Sequence, residues 1–231
     1  MRQGSSLIGI VVIEIATAYF KKKVNTYMFD QPFKIEFSLP AWLYEFVNNV
    51  SVIPDIDDRV AFVIEASRRN IFEKTGGPFA AAVFEKDTGK LVSLGVNLVQ
   101  KERLSILHAE MIAITLAQRK LGTYDLGADG LASHELVTST EPCAMCFGAI
   151  PWSGVHRIVS SARDADARSV GFDEGPKLGD WRAALEQRGI EVICDVRRKE
   201  AMAVLSEYAR TGGLIYNSKV LDGMDRDRSR S

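Results

Sequence analysis

Apolar side chains at Val60, Ile64, Ile71 and Phe72 recur close to a 3.6-residue period, with Asp57 and Asp58 at the start and Gly76-Gly77-Pro78 at the end. That pattern predicts an amphipathic helix. Two runs of strand formers follow, 79–86 and 91–99, joined through Asp87-Thr88-Gly89, which predicts an antiparallel hairpin. The pattern then alternates: a helix over 108–121, a strand over 135–139, a helix opening near Cys143, a strand over 157–162, a helix over 181–188, a strand over 191–196 and a last helix over 199–209. Strands alternating with helices predict an α/β fold, three layers α/β/α, around a mixed, mostly parallel five-stranded sheet. Residues 32–54 hold Pro40, Trp42, Tyr44 and Phe46 without a clear period, so they predict an irregular approach segment whose aromatics pack outside the domain or on a partner.

The ends differ from the middle. Residues 7–20 form an apolar run preceded by Arg2, interrupted by Glu14 and followed by Lys21, Lys22 and Lys23. The run is too short to span a bilayer comfortably. Ala16-Thr17-Ala18 gives a signal-peptide reading some support, but Glu14 inside the run weighs against export, which favours an extra helix or strand, or an extension upstream of a start at Met28. The tail from Asp222, rich in Arg, Asp and Ser, predicts disorder. The domain plan is therefore an N-terminal extension over 1–40, one domain over 41–217 and a polar tail over 218–231.

Composition narrows the class. A chain of 231 residues with 46% hydrophobic content is long enough for one sizeable core. Its formal charge of −1 supplies no broad field to attract nucleic acid or an anionic membrane, which favours a small-molecule substrate. The three cysteines, Cys143, Cys146 and Cys194, do not make a disulfide framework, so a reducing cytoplasm is expected. Cys194 lies in an apolar strand and is expected to be a buried small hydrophobe. His134 and His156 flank predicted strands and are expected at the surface or in loops.

The strongest chemical signal pairs His108-Ala109-Glu110 with Pro142-Cys143-Ala144-Met145-Cys146, each set where a strand or loop gives way to a helix. Either half alone is weak, since His-x-Glu is common and Cys-x-x-Cys also serves redox pairs and structural zinc. Together they offer three metal ligands, His108, Cys143 and Cys146. Structural zinc is closed by four protein ligands, whereas three leave a position for water, which points to catalytic Zn2+. Thiolates at a helix start meet unpaired N–H groups and the positive end of the dipole, both favouring the deprotonated ligand. Glu110, two residues past His108, is placed to move protons between water and substrate as the general acid and base.

With these motifs, the sequence resembles the cytidine-deaminase-like superfamily and, within it, the bacterial zinc-dependent guanine deaminases. The resemblance runs from about residue 40 to residue 217. It is carried by Gly76-Gly77-Pro78-Phe79, Asn97, the two metal motifs, Gly148-Ala149-Ile150 and Gly171-Phe172-Asp173-Glu174. It implies that Asn97 and the backbone at Ala109 bind the base, that Phe79, Trp152 and Phe172 wall the pocket, and that Glu174 is a second catalytic carboxylate. On its own residues, Glu174 reads first as a solvated turn carboxylate beside Gly175 and Pro176, and the aromatics read equally as ordinary core. The family's activity would be hydrolysis of guanine to xanthine and ammonia by hydroxide generated at zinc. Ammeline or another amino-triazine, a tRNA adenosine, cytosine or cytidine remain as other substrates, and a non-catalytic zinc module as another class. The family also implies a homodimer, in some members with the C-terminal segment swapped, for which Gly212-Gly213-Leu214-Ile215-Tyr216-Asn217 is the candidate cover.

Overall fold

The computed structural model describes residues 31–48, 50–215 and 217, so the apolar run over 7–20, Met28, Tyr216 and the tail over 218–231 lie outside the described residues. A compact unit begins at Leu39. In chain order it holds α1 (Ala41–Asn48), α2 (Ile56–Phe72), β1 (Ala80–Glu85), β2 (Leu91–Val96), α3 (Val99–Glu102), α4 (Ala109–Leu121), β3 (His134–Thr140), α5 (Ala144–Ser153), β4 (Arg157–Ala162), α6 (Asp164–Ser169), α7 (Trp181–Glu186), β5 (Glu191–Ile193) and α8 (Arg198–Arg210).

The sheet runs β2-β1-β3-β4-β5. β1 is antiparallel to both β2 and β3, while β3 pairs parallel with β4 and β4 with β5. Four strands therefore point one way and β1 alone is reversed. Strand alternation divides the buried side chains between two faces. Ala81, Val83, Leu136 and Ile158 form one core with Ala109, Ala113 and Ala117 of α4 and Ile150 of α5. On the opposite face the Phe84 ring meets Phe62 of α2 edge-on, with centroids 6.4 Å apart. Helices α2 and α8 cover that face, which completes the three layers.

Three local expectations need correction. The approach segment contains α1, a helix of eight residues that buries Trp42 and Leu43, with the Trp42 indole donating to Thr75 Oγ1 at 3.0 Å. Eight residues are too few to show a period, and a helix of that length depends on such docking. Phe72 is 80% exposed; the inward stripe of α2 ends instead on the buried polar pair Ser67 and Asn70. His134 is buried inside β3, where its Nδ1 lies 2.7 Å from the Leu126 carbonyl, a partner that makes its burial tolerable. Among the described residues, no helix is long and apolar enough to cross a membrane.

Candidate active site

The strand directions decide where chemistry can gather. β2 and β3 run the same way and lead at their C-terminal ends into α4 and α5, whereas reversed β1 begins at that same edge with Phe79 and Ala80. β4 ends there too and passes through α6 to the loop holding Phe172 and Glu174. One edge of the sheet thus collects every contributor, the usual place for a ligand in α/β sheets. A cavity of about 330 Å³ opens there, lined among others by Phe79, Asn97, His108, Glu110, Cys143 and Glu174.

His108 is the N-cap residue of α4 and Cys143 that of α5, both with extended backbones, so each ligand stands where a helix presents its free N–H groups. Gly95 of β2 brings the first of these helices close. A Cβ there would lie 2.3 Å from the Ala109 carbonyl oxygen and 2.6 Å from the Ala113 nitrogen, so any side chain would push the start of α4 away.

His108 Nδ1 stands 3.4 Å from Cys143 Sγ and 3.6 Å from Cys146 Sγ, and the three ligand atoms all lie within 4.8 Å of one another. Tetrahedral zinc, with bonds of about 2.0 Å to nitrogen and 2.3 Å to sulfur, sets such atoms roughly 3.5 to 3.8 Å apart. The donor set and its spacing fit zinc with one position left over.

The electrostatics favour thiolate at Cys143 and thiol at Cys146, and unsettle the carboxyls. Cys143 is drawn down to about 4 by its hydrogen bond with Cys146, with His108 adding to the fall against the effect of burial. The same pairing, with burial, holds Cys146 well above the usual thiol range. Burial works to lower His108, but the Cys143 hydrogen bond and the Glu110 charge outweigh it and raise it. Glu110 is raised by burial and then by Cys143. Glu174, 6% exposed, is pushed up to about 8 by burial, then by the charges of Cys143 and Glu110. Two buried carboxyls shifted by desolvation in one cleft mark a functional site.

Asn97 is buried and lines the cavity, with its Oδ1 accepting from the Val99 amide at 3.3 Å. Ala109 is buried in the first turn of α4, where backbone N–H groups lack helical acceptors. Phe79 and Phe172 meet edge-on at 4.8 Å and wall one side. Trp152 does not join them. It is 85% exposed, because it falls on the outer side of the last turn of α5 while Ile150 and Ser153 take the inner side.

Several contributors left little trace in the sequence. Asn70, fully buried, donates to the carbonyls of Gly77 at 2.8 Å and Asn97 at 3.1 Å and so pins two edges of the cavity. Tyr208 stacks behind Phe172 at 6.0 Å and donates to the Leu214 carbonyl at 2.7 Å. Asn217 accepts from the Asp173 amide and donates to the Gly171 carbonyl, each at 2.8 Å, so the chain's own C-terminal segment rests on the Phe172 loop. The glycine pair at 212–213 was the one sequence signal for that segment.

Comparison with known proteins bears on the same residues. The description "cytidine and deoxycytidylate deaminase zinc-binding region" matches residues 57–162. A solved guanine deaminase from Nitrosomonas europaea is 46% identical with a TM-score of 0.75, covering 78% of this chain and 99% of that one. A structure of NE0047 in complex with 2,6-diaminopurine is 49% identical, TM-score 0.74, covering 79% and 96%. The guanine deaminase of Bacillus subtilis (strain 168) is 40% identical over 99 residues, 43% of this chain, and the match spans 59% of that relative's length. The tRNA-specific adenosine deaminase of the same organism is 32% identical over 122 residues, 53% of this chain and 70% of that one.

Proposed function

The chain belongs to the cytidine-deaminase-like zinc-dependent deaminases, in their guanine deaminase family, and from that premise we propose that it hydrolyses guanine to xanthine and ammonia. The observation that carries the choice of ring is Glu174, a second carboxyl buried in the cavity that holds the zinc ligands and Glu110. In guanine the reacting C2 lies between two ring nitrogens. Glu110 serves N3, and Glu174 faces N1–H or the departing amine. Cytosine and adenine have nitrogen on only one side of the reacting carbon, which leaves Glu174 facing carbon; an unpaired buried carboxylate costs several kcal/mol.

Zinc, when held by His108, Cys143 and Cys146, supplies a water whose pKa falls from 15.7 to about 7. Glu110 would take a proton from the attacking water and pass it to N3 as the C2–O bond forms. The amine then gains one proton while the new C2 hydroxyl loses its own to the carboxyls, so the C2–N bond breaks, ammonia leaves and C2 becomes a carbonyl. The raised position of Glu174 suits it to hold a proton near neutrality and give it up to the leaving group. Asn97 and the Ala109 amide orient the base, and Phe79 and Phe172 cover its face.

The protein works in the cytoplasm, where its thiols stay reduced, and as a homodimer in which the C-terminal segment covers the site from its own or the partner chain. Residues 41–217 form the deaminase domain, with 1–40 an extension. Purified protein incubated with guanine, ammeline, cytosine, adenine and their nucleosides, with ammonia measured, decides the substrate. Release from guanine above all others is expected; no release from guanine overturns the proposal.

A further inference from the structure

Lys177 follows Glu174 by three residues, and its side chain is only 6% exposed. A lysine is rarely so buried unless its charge is fully engaged. Its Nζ donates to the Pro142 carbonyl at 3.0 Å, lies 3.2 Å from Asp164 Oδ2 and 3.5 Å from Glu141 Oε2, and sits 5.1 Å from the centre of the Trp181 ring. The ammonium thus faces three oxygens from three places: the turn leading into Cys143, the first residue of α6 and the residue just after β3.

Besides the Asn217 bonds to Gly171 and Asp173, the loop between α6 and Lys177 is held through its backbone at Glu174 and Gly175. The Glu174 carbonyl accepts from the amide of Ala144, the first residue of the helix that carries Cys143 and Cys146, at 2.9 Å. The Gly175 carbonyl accepts from Arg168 Nη2 at 3.0 Å. Each of these is a single bond to the backbone, whereas Lys177 is a buried cation that reaches the carbonyl of Pro142 in the turn leading into Cys143. Glu141, which it approaches, is itself held by Arg182 at 2.9 Å and accepts the Asp164 amide at 3.2 Å, so the seat is rigid.

We propose that Lys177 is a positioning residue for the reaction: by tying the Glu174 loop to the Pro142 carbonyl, it sets the distance between the second carboxyl and the metal ligands and thereby the preference for guanine. The inference rests on the role given to Glu174 above. Misplacing a reacting group by about 1 Å costs on the order of 100-fold in rate, while the metal ligands, fixed by α4 and α5, keep their places.

A double-mutant cycle on the zinc-loaded full chain tests it, using guanine kcat and KM, ammonia release and bound zinc. Lys177→Met keeps the stem and removes the charge. It is expected to keep zinc and lower kcat on guanine roughly 30-fold with little change in KM, yet to cost less than about 3-fold when added to Glu174→Gln, because a group that acts through Glu174 has nothing left to position. An equal loss in both backgrounds overturns the inference and leaves Lys177 a scaffold residue, as does a wild-type rate in Lys177→Met. Wild-type activity in Glu174→Gln alone overturns the role of that carboxyl first, and the inference falls with it. If Lys177→Met does not hold zinc, Asp164→Asn removes one of the negative charges that face the Lys177 ammonium, at a partly exposed carboxylate. A loss of about 3-fold that vanishes in the Glu174→Gln background supports the inference; no loss overturns it.

Discussion

Glu135, near the start of β3, and Glu174, beyond its far end, are both buried, and their surroundings treat them in opposite ways. Glu135 is 0% exposed and takes Arg59 Nη1 at 2.5 Å and Arg157 Nε at 2.6 Å. Arg59 spends its remaining donors on the carbonyls of Ile53, Pro54 and Lys86, so the charge cluster is satisfied throughout. Glu174 has its backbone anchored, while its carboxyl is raised to about 8. A closed ionic cluster ties α2 to the sheet and gives no opening to a ligand. An unsettled carboxyl at the C-terminal edge keeps its hydrogen-bonding capacity for a substrate. Burial alone does not mark function; burial of a carboxyl that no arginine or lysine binds directly does.

That contrast can be broken in order of size. Glu110→Gln is expected to keep zinc and lose about 10³ to 10⁴ in kcat, read by ammonia release beside metal content; an active Glu110→Gln would remove general acid–base work from this residue. Glu135→Ala leaves two guanidinium groups facing an empty buried site and should cost about 3–5 kcal/mol of stability in denaturant unfolding, with activity per folded molecule retained. Glu174→Gln should reverse that profile: roughly 100-fold less guanine turnover, with bound zinc and the unfolding midpoint close to wild type.

Gly95→Ala sharpens the comparison from the scaffold side. Its Cβ would press the start of α4, so about 1–3 kcal/mol of destabilisation is expected together with weaker zinc retention under a chelator. The smallest effect belongs to Asp166, whose carboxyl is held below its usual range first by Arg198, paired at 2.7 and 2.8 Å. A depressed carboxyl contributes stability above its unfolded pKa of about 3.9 and loses it as the pH falls through the folded value. Asp166→Asn should therefore cost no more than about 1 kcal/mol at neutral pH, since Arg198 is partly exposed, and the difference should shrink in thermal melts as the pH falls below about 3.9.

The parts of this protein legible in the linear chain are those with short-range causes. The strand over 157–162 and the helix over 108–121 follow from side-chain period and caps within a dozen residues, and the structure places them at Arg157–Ala162 and Ala109–Leu121. His108, Glu110, Cys143 and Cys146 stood out because metal chemistry demands those residue types at helix starts. Pairings across long stretches of chain were not legible: Arg59 with Glu135 is a contact over 76 residues, and Asn70 with Asn97 over 27. The same physics explains Trp152 and Lys177. Which side of a helix's last turn meets solvent, and which lysine is caught beneath a loop, depend on what lies across the fold. The sequence by itself determined the zinc chemistry and the alternation of strands and helices; only the tertiary structure decided which buried charges are paired and which are left free for a substrate, because pairing is settled by contacts that exist only once the sheet has closed.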